Sequence, residues 1–251
     1  MRPPRIGQVL ALARAEWASF WTGGSGGLSI LVFLALSGLW LYNAVADYSL
    51  ANMGALARGA ALDANLALFS GSLNSVGLII MLVTPLATMR AFAPFADGGH
   101  LDLLMALPLS RLEIALAHYL SSFLALSLLT LLSLLPYCIL IALGVGSVPL
   151  LLCSFLGFLL LISAFVSVGL AVSSFAPGPL PSALCTLGVL GVFWAMGWAA
   201  PYLPQTLSSL AQGLAFAPRL AHFTIGLVDF NDMLYFLVLT LAGLSLARPV
   251  R

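Results

Sequence analysis

The sequence predicts an all-α integral membrane protein. Six transmembrane helices are expected, preceded by an amphipathic helix and carrying a short surface helix between the second and third spans. Three observations lead there. The 251 residues are 62% hydrophobic and only 7% charged, whereas a soluble domain needs roughly 25% charged residues to cover its surface. The apolar residues gather into long runs punctuated by Gly, Pro and charge. The arginines are divided unequally among the intervening segments, which sets an orientation once the runs are counted.

Residues 5–21 have the pattern of an amphipathic helix. Ile6, Val9, Leu10, Ala13, Trp17, Phe20 and Trp21 recur at three-four spacing, with Arg5, Gln8 and Ser19 opposite and Arg14 and Glu16 at the edges. Such a helix lies in the headgroup plane with its arginines reaching water. A glycine-rich run, 23–27, leads to a first span over 28–46. Ala44, Val45 and Ala46 have the small-x-small form of a cleavage site, but the charged region before the apolar core is too long for a signal peptide. A polar loop, 47–71, precedes a second span over 73–89, with Pro85 placed to kink it.

The segment 90–119 then concentrates charge: Arg90, Asp97, Asp102, Arg111 and Glu113. Pro94, Gly98 and Gly99 break any entering helix. Asp97 is placed to cap a short helix in which Leu101, Leu104 and Met105 share one face and Asp102 lies off it. Pro108 ends that helix. Ser110 and Glu113 form a capping box, with Leu109 and Ile114 as its staple, and a long apolar helix starts there.

That third span, 114–143, is long enough to require tilt or a bend at Pro136. A tight turn at 144–149 leads to a fourth span, 150–173, and Pro177-Gly178-Pro179 to a fifth, 180–200. The loop 201–232 is semi-apolar with room for short helices. The last span, 233–247, rises only about 22 Å, short of the roughly 30 Å hydrocarbon core. Tyr235 and Arg248 would anchor its ends at the interface.

Six spans put both termini on one side. Arg2, Arg5, Arg14, Arg90, Arg111, Arg248 and Arg251 fall there, and only Arg58 and Arg219 fall opposite. The positive-inside rule therefore assigns the termini and the 90–119 loop to the cytoplasm.

In order along the chain, three sets of residues resemble a known family. Arg90 to Phe92, Gly99, Leu101 to Leu104, Leu107-Pro108-Leu109-Ser110, Glu113-Ile114 and Tyr119 are similar to the cytoplasmic coupling loop of ABC-transporter permeases of the type-2 exporter branch. Ala217-Pro218, His222-Phe223, Gly226 to Asp229 and Asp232 to Phe236 resemble the ending of its gliding-motility and nitrous-oxide-reductase-maturation permeases. Glu16, Phe20 and Trp21 with Phe33, Gly38 and Tyr42 resemble their beginning. The chain departs from that pattern at Pro94 and Phe95, where acidic residues are usual, at His100, where Thr is usual, and at His118, where Lys is usual.

The resemblance implies the membrane subunit of an ATP-driven exporter in a bacterial inner membrane. Its partners would be ABC ATPase subunits, a second permease copy or sister permease, the lipid bilayer and an extracytoplasmic accessory protein, with ATP held by the ATPase. The 5–21 helix would be the elbow, with Arg14, Glu16 and Trp17. Asp97, His100, Leu101, Asp102, Leu104, Met105, Pro108, Arg111 and Glu113 would meet the ATPase. A non-transporting membrane component, anchoring or signalling to an extracytoplasmic assembly, is the alternative, and a proton-coupled carrier a third.

Energy supply can be argued without the family. No charged residue falls inside the six expected spans, so an ion-coupled carrier lacks its usual groups. Without a single lysine no GxxxxGK[ST] phosphate loop can be present. Work must then arrive mechanically through a surface contact, and the 90–119 loop is the richest one. Net charge of +1 gives no reason to expect a nucleic-acid partner.

Chemistry is expected nowhere in the chain: no catalytic set, no cofactor and no metal. His222, Asp229 and Asp232 suggest a metal group, but capping of the last span is the simpler use of the carboxylates. Met81 and Met89 read as core gap-fillers. Cys138, Cys153 and Cys185 lack CxxC spacing and read as small buried hydrophobes. Trp194 and Trp198 read as an aromatic belt. Two small-residue strips, Gly191/Ala195/Ala199 and Ser163/Ser167/Ala171, mark close helix packing, within the subunit or between copies.

Overall fold

In a computed structural model, residues 6–22, 24–56, 65–89, 91 and 111–247 are described, and they are almost entirely helical. The order is α1 (Ile6–Thr22), α2 (Gly24–Leu56), a π-helical turn (Asn65–Ser70), α3 (Gly71–Thr88), α4 (Arg111–Ser133), α5 (Leu135–Ala142), α6 (Val148–Phe175), α7 (Pro179–Ala199), a 3₁₀ turn (Ala200–Tyr202), α8 (Gln205–Leu214), α9 (Phe216–Thr224) and α10 (Phe230–Leu246). Among the described residues five stretches are long and apolar enough to cross a membrane: Gly26–Ala55, Leu68–Thr88, Leu112–Ala142, Val148–Phe175 and Pro179–Tyr202. The 17 residues of α10 are apolar but span only about 25 Å.

Several helices outrun the expected spans. α2 starts within the glycine run and continues past Asp47 to Leu56, so the first two fifths of the expected polar loop are helical. Asp47–Leu56 has no Pro, and Ala51, Met53 and Ala55 favour continuation despite Gly54. Asp47 and Asp232 sit inside helices rather than in loops, and Glu113 stands in the first turn of α4. Gly26 is required where α2 leaves α1, because a Cβ there would fall 1.8 Å from the Phe20 carbonyl oxygen.

Pro136 breaks the third span as expected. It has no N–H to donate to the preceding turn; α4 ends at Ser133 and α5 restarts at Leu135.

The hub is α6, which packs on α3, α4, α7, α9 and α10. Phe158, Leu161, Ile162, Phe165, Val166 and Leu170 on it are fully buried. By contrast, only 11% of the most apolar window of α2 is buried, against 61% for α6, which puts α2 on the periphery. Lipid tails are as apolar as leucine, so interior packing in such a bundle rests on close contact and hydrogen bonds rather than on escape from water. The α6–α10 seam has both. Gly243 lies against Ser167, where a Cβ would meet the Ser167 carbonyl carbon at 2.7 Å, and Ser167 Oγ donates to the Leu239 carbonyl at 3.3 Å.

The short helices of the 201–232 loop fold back into the bundle. On α9, Phe216, Leu220 and Phe223 are buried. Leu220 reaches Gly77 of α3, and Phe223 lies over Gly157 of α6. Phe216 meets Phe165 of α6 edge-on at 4.9 Å. α9 thus fills the end of the bundle opposite to the α3–α4 junction. We call that filled end distal and the junction end proximal.

Candidate functional site

At the proximal end three helices converge. α3 closes with the Met89 N–H on the Pro85 carbonyl at 2.9 Å and the Ala91 N–H on Thr88 at 3.1 Å. α4 begins at Arg111. The expected coupling residues Asp97, His100, Leu101, Asp102, Leu104, Met105 and Pro108 lie between these two points, outside the described residues, as does Ser110 of the capping box. Arg111 opens α4, its side chain also outside the described set; Glu113 is half-buried in the first turn.

α1 lies along α4. Its inward face differs from the expected apolar stripe. Val9, Ala13, Glu16 and Phe20 face the bundle, while Leu10 and Trp17 are 49% and 38% exposed. Glu16, read from sequence as an edge residue, therefore points inward, its carboxylate 3.7 Å from Nδ1 of buried His118 on α4. Arg14 is exposed. Trp21 stacks edge-on with Trp17 at 5.7 Å and Phe20 at 5.3 Å, bracing the exit of α1.

Between α1, the end of α3 and the start of α4 is a cavity of about 60 Å³. It is lined by Glu16, Ser19, Phe20, Leu86, Ala87, Ala91, His118, Ser121 and Ser122. Ser122 donates to the Ala87 carbonyl at 3.3 Å, tying α4 to α3.

Beside His118 on α4, Tyr119 Oη lies 2.7 Å from Ser163 Oγ on α6. Ser163 lies 2.8 Å from Thr240 Oγ1 on α10, and Thr240 donates to the Phe236 carbonyl at 2.8 Å. Three helices are joined by one hydroxyl chain. Ser167 bonds back to its own helix, donating to the Ala164 carbonyl at 2.8 Å; Ser163 bonds across helices.

At the distal end, Asp229 caps α10 as expected, accepting from the Asn231 N–H at 2.9 Å. Asp232 does not cap. It is buried, accepting from Arg219 Nη1 at 2.7 Å, with His222 Nδ1 2.6 Å from its other oxygen. Arg219 also donates to the Gly213 carbonyl at 2.7 Å and lies 4.0 Å over the Tyr235 ring. The cluster clasps α8, α9 and α10 together. Among the described residues no group of three or more His, Cys, Asp and Glu side chains is arranged to hold a metal.

Three further expectations are corrected. Cys138 and Cys185 are exposed on the outside of the bundle, because their helices turn those faces outward; Cys153 is intermediate. Trp194 is buried over Gly77, while Trp198, one turn on, is 63% exposed and alone fits a belt position. Of the small-residue strips, Ser163/Ser167/Ala171 packs inside the chain, whereas Gly191 has open space beside it and Ala195 and Ala199 are exposed. No family model matches the chain, and comparison with curated proteins gives no match.

Proposed function

We propose that this chain is the membrane-spanning permease subunit of an ATP-driven transporter of the ABC type, acting in export. In this reading α10 is the sixth span, α1 is the elbow helix, and 92–110 carries the coupling helix on the cytoplasmic side of a bacterial inner membrane. Two ATPase subunits and a second permease copy or sister permease complete the machine.

One observation carries the reading. The 92–110 segment leaves α3 and returns to α4 where α1 is also docked. Ser122 and Ala87 join α3 to α4, and Glu16 faces His118 across α1 and α4. A load on that segment therefore acts on three helices at once, and the Tyr119–Ser163–Thr240 chain extends it to α6 and α10. Leu101, Leu104 and Met105 would seat in the ATPase, flanked by Asp97, His100, Asp102, Pro108, Arg111 and Glu113.

The test is co-expression with an ABC ATPase sought among the neighbouring reading frames, and purification in detergent or nanodiscs. The two should co-purify, and Leu104→Asp with Met105→Asp should abolish transport-coupled ATP turnover while leaving the membrane subunit folded. Unchanged turnover in that variant counts against coupling and favours an anchoring or signalling component.

The buried Asp232 carboxylate favours a second reading, a proton-coupled carrier, since ionisable groups inside a bundle often mark ion pathways. Its pairing with Arg219 at 2.7 Å argues for a structural role instead. Transport that persists on a proton gradient with the ATPase disabled would decide for the carrier.

A further inference from the structure

We propose that the proximal cavity binds the primary ammonium of an ethanolamine lipid headgroup. The proposal rests on the membrane location of the chain and not on the ATPase reading.

Only Glu16 and Ser19 in the polar lining have substantial exposure, so the cavity opens on the α1 side. Its floor is buried: His118, Ser121, Ser122 and Ala91. The contents are one carboxylate, an imidazole and three hydroxyls over an apolar wall of Phe20, Leu86 and Ala87. The Glu16 carboxylate stands 3.7 Å from the His118 ring nitrogen, beyond hydrogen-bond reach. A half-exposed carboxylate at the mouth of a hydroxyl-lined hollow is matched by a small cation that donates several hydrogen bonds.

The level of the mouth selects the source. α1 keeps Leu10, Arg14 and Trp17 together on its exposed face, and a tryptophan beside an arginine that can reach water suits the headgroup boundary. The opening beside Glu16 and Ser19 is then at headgroup depth. An ethanolamine headgroup ends in a compact ammonium with three N–H donors. A choline headgroup ends in a bulkier trimethylated nitrogen with none, and an anionic headgroup would meet the Glu16 carboxylate.

The experiment is native mass spectrometry of the full-length chain released from nanodiscs of equimolar phosphatidylethanolamine and phosphatidylcholine. The wild type should retain phosphatidylethanolamine over phosphatidylcholine by on the order of tenfold, the scale of one charge-assisted hydrogen bond. Glu16→Gln should abolish the preference, Glu16→Asp should keep it in part, and Asp47→Asn on α2 should leave it intact. An unchanged melting temperature in Glu16→Gln separates loss of the site from loss of the fold. Equal retention of the two lipids by wild type, or a preference that survives Glu16→Gln, overturns the proposal. Displacement of the lipid by free ethanolamine at millimolar concentration would also overturn it, by assigning the hollow to a soluble amine.

Discussion

Tyr119 on α4 and Thr240 on α10 are joined through a single atom, Ser163 Oγ, at 2.7 Å and 2.8 Å. Tyr119 lies two turns into α4, just after the expected coupling segment, and Thr240 lies in the middle of the last helix. Interhelical hydrogen bonds in membrane bundles average about 0.6 kcal/mol and reach about 1.7. Tyr119→Phe leaves Ser163 bonded to Thr240 and should cost about 0.6 kcal/mol. Ser163→Ala removes both links and should cost about twice that. Denaturant titration in detergent micelles reads the two losses. If the chain also transmits force, Tyr119→Phe should lower ATP turnover in the assembled complex by more than its effect on stability.

The Arg219–Asp232 pair gives a larger effect. Asp232 has a side chain 4% exposed and Arg219 20%, so the pair is desolvated on the carboxylate side. Asp232→Ala leaves a mostly covered guanidinium without its counter-charge, at a cost of about 3 kcal/mol, the low end for a buried pair because Arg219 keeps some access to water. Arg219→Met combined with Asp232→Leu removes both charges and should lose far less, because well-packed apolar replacements of buried pairs are often neutral. A double-mutant cycle on thermal inactivation checks the coupling. Additive losses from the two single replacements would sink the clasp as described.

Why the distal clasp was not legible in the sequence follows from where its members lie. Arg219, His222 and Asp232 sit in a stretch that reads as a semi-apolar loop, and no local pattern says that Phe216, Leu220 and Phe223 bury themselves against α3 and α6. The burial of Asp232 comes from α9 folding back, which is tertiary. The apolar runs were legible, because a run long enough to span must be helical to satisfy its backbone. The break at Pro136 was legible for the same local reason. Span ends were less so: hydropathy falls at Asp47, yet a helix needs no hydrophobicity to continue, and α2 goes on to Leu56. At the proximal site Glu16 was singled out, but its direction was misjudged. Val9, Ala13, Glu16 and Phe20 share a stripe as regular as the apolar one, and only the position of α4 decides which stripe turns inward.

Glycine positions separate packing from chance. At Gly243 a Cβ would lie 2.6 Å from Ser167 Oγ and 2.7 Å from its carbonyl carbon, so the backbones must part. Gly243→Ala should destabilise by about 1–3 kcal/mol, the usual cost of overpacking. At Gly191 nothing lies within 4 Å. Gly191→Ala should be neutral or stabilising by up to about 1 kcal/mol, since alanine is the better helix former. Melting temperatures of the two variants in one detergent make the comparison. A marked loss of assembly in Gly191→Ala, with its melting temperature intact, would reassign that outward strip to a contact between copies.

Sidedness is the last prediction and bears on every functional reading. The path of the chain puts the α3–α4 junction and the α8–α9 pair at opposite ends of the bundle. With Cys138, Cys153 and Cys185 replaced by alanine, a single cysteine at Asp102 and another at Gln212 report the two ends; Gln212 is exposed on α8. On the positive-inside rule Asp102 is expected inside. A membrane-impermeant maleimide added to intact cells should therefore label Gln212→Cys and spare Asp102→Cys. Inverted vesicles should give the reverse. Labelling of both positions from one side would require an even number of crossings between them, instead of the three made by α4–α5, α6 and α7. It would remove one of those three from the list of spans, and with it the cytoplasmic assignment of the segment on which an ATPase is proposed to act.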